Sequence, residues 1–151
     1  MDVLSSEVRS ILVIDDDRED YELISEAIYE VDPEISVYFL DRCEEAEKYK
    51  GYSFDLVLLD INMPYHDGFY WLKTIREKGY SSLPIVMYTN SLYPGHIAKA
   101  YQEGASLYFP KPDSFQHLLD ALKKLVCLNW SNPGSITQRY LRNGQYLTFQ
   151  G

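Results

Sequence analysis

The stretch ILVIDDDRED, residues 11–20, decides the fold: four apolar residues run straight into three consecutive aspartates. A short, solidly apolar run reads as a strand covered on both faces, the kind that parallel sheets contain. Asp17 precedes REDYEL, where Tyr21, Ile24, Ile28 and Val31 share one helical face, so it reads as the N-cap of a helix. Asp15 and Asp16 are then left side by side at the end of a buried strand. Two carboxylates about 4 Å apart repel by roughly 4 kcal/mol at an effective dielectric near 20. A bound cation is the simplest compensation.

Four more apolar runs follow: Ile35 to Leu40, Leu56 to Leu59, Ile85 to Tyr88, and Leu107 to Phe109. Helical spacing separates most of them. Phe69, Leu72 and Ile75 fall on one face, and so do Phe115, Leu118, Leu119, Leu122, Leu125 and Val126. Gly95 to Gly104 is weaker, with only Ile97, Ala98 and Tyr101 to bury. Strands alternating with helices imply βαβ units and a parallel sheet. The first, third and fourth runs are uniformly apolar and suit the interior; the second partly alternates and the fifth is short, so both suit edges. The strand order 2-1-3-4-5 satisfies this texture. Ligands of such sheets sit beyond the carboxyl ends of the strands, where strands 1 and 3 diverge.

The residues at those ends form a chemical set. Strand 1 delivers Asp15 and Asp16, strand 3 Asp60, strand 4 Thr89, and strand 5 leads to Lys111. Each alone has a commonplace reading as a cap, a turn residue or a surface charge; their shared placement gives the set its weight. Three carboxylates offer oxygen ligands to a hard cation such as Mg²⁺, which keeps waters and takes few protein ligands. An aspartate is also a competent nucleophile toward phosphorus. Phosphoryl transfer needs little beyond alignment and neutralisation of three equatorial oxygens, for which a metal, an ammonium and a hydroxyl suffice.

Composition bounds the remainder. With 151 residues, 46% of them hydrophobic, the chain reads as one globular domain with a tail. A net charge of −9 argues against unaided binding to nucleic acid or an anionic membrane. No apolar run approaches the roughly 20 residues that span a bilayer, and MDVLSSEVRS has no signal-peptide pattern. Cys43 and Cys127 form no metal or redox motif and read as thiols of a reducing, cytoplasmic protein.

ILVIDDD, DLVLLDINMPYHDG, PIVMYTNS and LYFPKP together resemble, in order and spacing, the receiver domain of two-component response regulators, over about residues 9–128. The resemblance implies a flavodoxin-like sheet flanked by five helices. It implies that Asp60 is the phosphoacceptor, that Asp15, Asp16, Asp60 and the backbone carbonyl of Asn62 hold Mg²⁺, and that Lys111 pairs with the phosphoryl group. Thr89 and Tyr108 would form the switch, Gly68 and Met63-Pro64 the loop after the acceptor, and Lys111–Pro112 a cis bond. The implied partners are a sensor histidine kinase or histidine phosphotransfer protein and a downstream protein; homodimerisation stays open. Catalysis would be limited to the domain's own phosphorylation and slow autodephosphorylation. Asn90 departs from the small residue usual after Thr89, while Asn62 and Ser91 occupy positions that tune hydrolysis in the family.

The receiver domain is expected over 1–130, with 131–151 as a tail, hairpin or disordered. Pro133-Gly134 reads as a break after the last helix, and Asn143-Gly144 between β-prone runs as a hairpin turn. With no output domain after it, the chain reads as a stand-alone regulator. Two other readings stand beside it. One is a binding module that keeps the site as structure. The other is an Asp-nucleophile phosphatase resembling the haloacid-dehalogenase-like hydrolases, against which Asn62 stands where a general acid is needed. Of fourteen tyrosines, Tyr65, Tyr70, Tyr88, Tyr93, Tyr101 and Tyr108 cluster in one half, suiting either an interface or core-edge packing.

Overall fold

A computed structural model describes residues 7–41 and 53–150. Cys43 lies outside them, as does the stretch joining the second and third strands. The described elements are β1 (Ser10–Ile14), α1 (Arg18–Val31), β2 (Ser36–Leu40), β3 (Leu56–Leu59), α2 (Gly68–Glu77), β4 (Ile85–Thr89), α3 (Pro94–Gln102), β5 (Leu107–Pro110), α4 (Phe115–Val126), α5 (Pro133–Arg139), β6 (Leu141–Arg142) and β7 (Gln145–Tyr146). The first five strands form a parallel sheet in the order β2-β1-β3-β4-β5, the order that run texture predicts.

Alternation along each central strand divides the core between two faces. Ile11 and Val13 of β1, with Leu56 and Leu58 of β3, join one cluster with Ile24, Ala27 and Ile28 of α1 and Leu118, Leu122 and Leu125 of α4. Leu12 and Ile14, with Val57 and Leu59, join the other with Phe69 and Leu72 of α2 and Ala100 and Tyr101 of α3. Covering both faces explains why these strands are apolar without alternation. Asp17 caps α1 by accepting from the Glu19 N–H at 2.9 Å.

Arg76, near the end of α2, ties the far end of the sheet together. Its guanidinium donates to the carbonyls of Gly104 at 2.9 and 2.7 Å, Tyr80 at 2.6 Å and Leu83 at 2.7 Å. Two loops, α2–β4 and α3–β5, are thereby stapled by one side chain.

The tail departs from a simple break. Pro133 takes the first turn of α5, where its missing N–H costs nothing and its fixed φ suits the helix. Ile136 is fully buried beneath it. Asn143 (φ 53°) and Gly144 (φ 75°) then turn the chain between β6 and β7, the positive-φ pair that a two-residue hairpin needs. The tyrosines do not form one face: Tyr88, Tyr101 and Tyr108 are buried, whereas Tyr65, Tyr70 and Tyr93 are exposed. No described peptide bond is cis. Lys111–Pro112 is thus trans, correcting the isomer that the resemblance implied; trans is the lower-energy X–Pro form by about 0.5–1 kcal/mol. With it, the Lys111 N–H still bonds the Thr89 carbonyl at 2.8 Å.

Gly68 starts α2 against the end of β3, donating to the Ile61 carbonyl at 2.8 Å. A Cβ there would stand 2.2 Å from the Asp60 carbonyl oxygen and 2.9 Å from Ile61 Cα. Those neighbours are backbone and cannot yield cheaply. Gly68→Ala is expected to cost about 1–3 kcal/mol or more, read as a lowered urea midpoint; an unchanged midpoint would contradict this packing.

Candidate functional site

Backbone hydrogen bonds carry the sheet ladder one residue past the strands and fix where each functional side chain starts. The Asp15 N–H bonds the Leu40 carbonyl at 3.1 Å, and the Asp60 N–H bonds the Ile14 carbonyl at 2.9 Å. The sequence-predicted groups converge there. Carboxylate oxygens of Asp15, Asp16 and Asp60 all lie within 4.8 Å of one another. Asp15 and Asp60 are buried and Asp16 is exposed, so the cluster has a dry side and a wet side. Lys111 Nζ lies 3.0 Å from Asp15 Oδ2 and 3.7 Å from Asp60 Oδ2. Thr89 is fully buried, and its Oγ1 accepts from the Ser91 N–H at 3.4 Å. Asn62 follows on the exposed loop, where Tyr65 adopts a positive φ of 68°.

Sequence reasoning misses Asp20. It approaches Lys111 Nζ more closely than any other acid, at 2.6 Å. In the first turn of α1 an acid ordinarily complements the helix dipole, which hides a second role. The available signal is position: Asp20 sits just inside the helix that Asp17 caps, above the end of β1.

The electrostatics are those of buried like charges. Burial pushes the Asp15 carboxyl up to about 7, against the pull of the Asp17 backbone N–H and of Lys111. Burial likewise raises Asp60, opposed by Lys111, by the Asn62 N–H and by the Thr89 hydroxyl. For Lys111, burial disfavours the charge, but the Asp20 hydrogen bond and the attraction of Asp15 and Asp60 outweigh it, so the ammonium titrates above its ordinary range. Four acids thus face one ammonium. Asp60 Oδ1 is buried without a hydrogen-bond partner. A mutually close oxygen set, a surplus of negative charge and an orphaned buried oxygen fit a hard divalent cation.

Tyr108 is fully buried, and its hydroxyl donates to the Ser91 carbonyl at 2.8 Å, two residues beyond Thr89. The Ser91 hydroxyl in turn lies 2.7 Å from His96 Nδ1. Asn90 is exposed at the mouth.

Known proteins share this fold. The family model described as response regulator receiver domain matches residues 11–123. The sensory transduction protein BceR of Halalkalibacterium halodurans is 27% identical over 117 residues, which cover 77% of this chain and 49% of that protein. The transcriptional regulatory protein YxdJ of Bacillus subtilis is 35% identical over 72 residues, 48% of this chain and 31% of that protein. The chain therefore spans half or less of the curated relatives it matches. Among solved structures, the chemotaxis response regulator CheY4 of Vibrio cholerae has a TM-score of 0.66 at 27% identity, covering 78% of this chain and 98% of that one. The phosphorylated cyanobacterial phytochrome response regulator RcpA has a TM-score of 0.71 at 24% identity, covering 78% and 91%. The response regulator Rcp1, solved in a Mn²⁺-bound form, has 0.69 at 21% identity, covering 78% and 91%. Among the described residues no helix is long and apolar enough to cross a membrane.

The raised carboxyls have a measurable consequence. Between about pH 4 and pH 7 the folded chain holds a proton at Asp15 that the unfolded chain has lost, so stability falls as pH rises through this window, and the raised Asp60 carboxyl acts in the same direction. Asp15→Asn is expected to raise the metal-free melting temperature at pH 8 by a few degrees and to flatten its decline between pH 5 and pH 8. A variant as pH-sensitive as the native chain would contradict the assignment.

Proposed function

The chain belongs to the response regulator receiver domain family, and from that premise we propose that it takes a phosphoryl group onto Asp60 and signals through phosphorylation-dependent protein binding. The donor is the phosphohistidine of a sensor histidine kinase or histidine phosphotransfer protein in the cytoplasm. An Asp60 carboxylate oxygen attacks phosphorus, the P–N bond breaks, and the imidazole leaves as an acyl phosphate forms. The observation that carries the reading is the meeting of three acids within 4.8 Å beside a lysine ammonium 3.7 Å from Asp60.

Asp15, Asp16, Asp60 and the Asn62 carbonyl would hold Mg²⁺, which when bound neutralises charge on the phosphoryl oxygens. The chain's own groups supply the rest. Lys111 pairs with one oxygen, and the Thr89 hydroxyl donates to another. The dry side of the pocket keeps water from the acyl phosphate, and exposed Asn62 and Asn90 border the wet side where slow autodephosphorylation admits it. Phosphorylation replaces one negative charge at Asp60 with about two. Lys111 then moves closer, and Thr89 and Tyr108 act as the switch.

Acetyl phosphate with Mg²⁺ is expected to label the native chain at Asp60, with labelling abolished by a chelator and by Asp60→Asn. Labelling that survives in Asp60→Asn would overturn the assignment. Asp20 competes with the phosphoryl group for Lys111. Asp20→Asn is therefore expected to tighten binding of beryllofluoride, a phosphoryl mimic, several-fold; weaker binding by titration would mean that Asp20 supports Lys111 instead of restraining it.

A further inference from the structure

β5 is an edge strand by sheet order, yet Leu107, Tyr108 and Phe109 are almost wholly buried. The cover is the chain's own tail, which lies beyond residue 123, where the family match ends. The two outward backbone groups of Tyr108 are both engaged. Its N–H donates to the Tyr101 hydroxyl at 3.1 Å, and its carbonyl accepts from the Phe149 N–H at 2.7 Å. The Tyr101 hydroxyl donates onward to the Leu147 carbonyl at 2.8 Å. Phe149 is 3% exposed and meets Phe109 edge-on, ring centroids 5.3 Å apart. Tyr146 stacks on Tyr101 at 4.9 Å. Upstream, Thr137 anchors α5 by donating to the Ser106 carbonyl at 2.8 Å.

We propose that residues 140–150 are an intramolecular ligand of the outer β5 edge, and that their docking is coupled through Tyr108 and Ser91 to occupancy of the acidic pocket. The occupant is this segment of the same molecule. An exposed strand edge is an open template for pairing, and a tail that supplies both a backbone donor and a buried aromatic closes it. The coupling follows contiguous bonds. The tail holds the Tyr108 backbone, the Tyr108 hydroxyl holds the Ser91 carbonyl, and the Ser91 N–H reaches Thr89 Oγ1 beside Asp60. With the tail docked, the Thr89–Ser91 segment is already ordered for a tetrahedral anion; with the tail released, the anion must order it. Linkage makes the effect reciprocal, so the anion also tightens the tail. This coupling rests on the pocket being a phosphoryl site, whereas the docking does not.

The test is amide hydrogen exchange and beryllofluoride titration with Mg²⁺ on the full chain. In the native protein, beryllofluoride is expected to slow exchange of the Phe149 amide, which donates to the Tyr108 carbonyl, about fivefold or more, the low end of ordinary coupling. Phe149→Ala is expected to release the tail, read at the amide of position 149, whose partner is the Tyr108 carbonyl, and to weaken beryllofluoride binding by a similar factor. Should that variant unfold, Tyr101→Phe keeps the ring and deletes only the hydroxyl between Tyr108 and Leu147, with the same direction expected. Unaltered beryllofluoride affinity with a released tail overturns the coupling. Phe149 amide protection that disappears on dilution overturns the intramolecular docking in favour of a second copy. Failure of beryllofluoride to bind the native chain sinks the proposed function and the coupling with it, while Phe149 amide protection still judges the docking by itself.

Discussion

One buried ammonium governs the architecture of the pocket. Lys111, 8% exposed at its side chain, is held between Asp15 from β1, Asp20 from α1 and Asp60 from β3. Leaving water is costly for such a cation unless partners surround it, and removing one partner of a buried pair leaves an uncompensated charge. Two separate βα units, β1–α1 and β3–α2, therefore have to place their three carboxylates correctly for the end of β5 to be stable. The same requirement leaves the acids in excess. Burial raises the Asp15 carboxyl to about 7 and raises that of Asp60, and the single lysine does not offset it. The pocket is thus short of positive charge at the place where a cation and a phosphoryl group would be held.

The sheet makes this tension tolerable. Its ladder continues to Asp15, Asp60 and Lys111, so their backbones are fixed by hydrogen bonds, and apolar clusters on both faces back the strands. What can rearrange is side chain: an ammonium shared unequally among three acids, a buried threonine hydroxyl, and a tyrosine hydroxyl on a loop carbonyl. Under the proposed function, a stiff frame with adjustable ends would turn a change of charge into a change of surface.

Much of this was legible in the sequence, for definite reasons. Strands covered on both faces are uniformly apolar, so the runs at Ile11, Leu56 and Ile85 marked themselves and their order. Chemistry at the end of a parallel strand is a positional signal, and Asp15, Asp60, Thr89 and Lys111 carried it. Asp20 did not, because an acid in a first helical turn already has a local explanation. The tail was opaque for a different reason. Pro133 can either break a helix or start one, and the burial of Ile136 that decides between them is a tertiary contact. The seat of Phe149 on β5 is a contact across about forty residues that no local pattern encodes. The Lys111–Pro112 isomer was carried over from family resemblance alone, and there the structure disagrees.

Arg76 draws a boundary across the molecule. Among the described residues every acceptor of its guanidinium is a neutral carbonyl, with no carboxylate for dissolved ions to screen or for a proton to neutralise. The strand-end pocket is the opposite, an assembly of formal charges whose strength depends on ionic strength and acidity. Changing the buffer should therefore retune the strand-end pocket while leaving the Arg76 joint largely as it is.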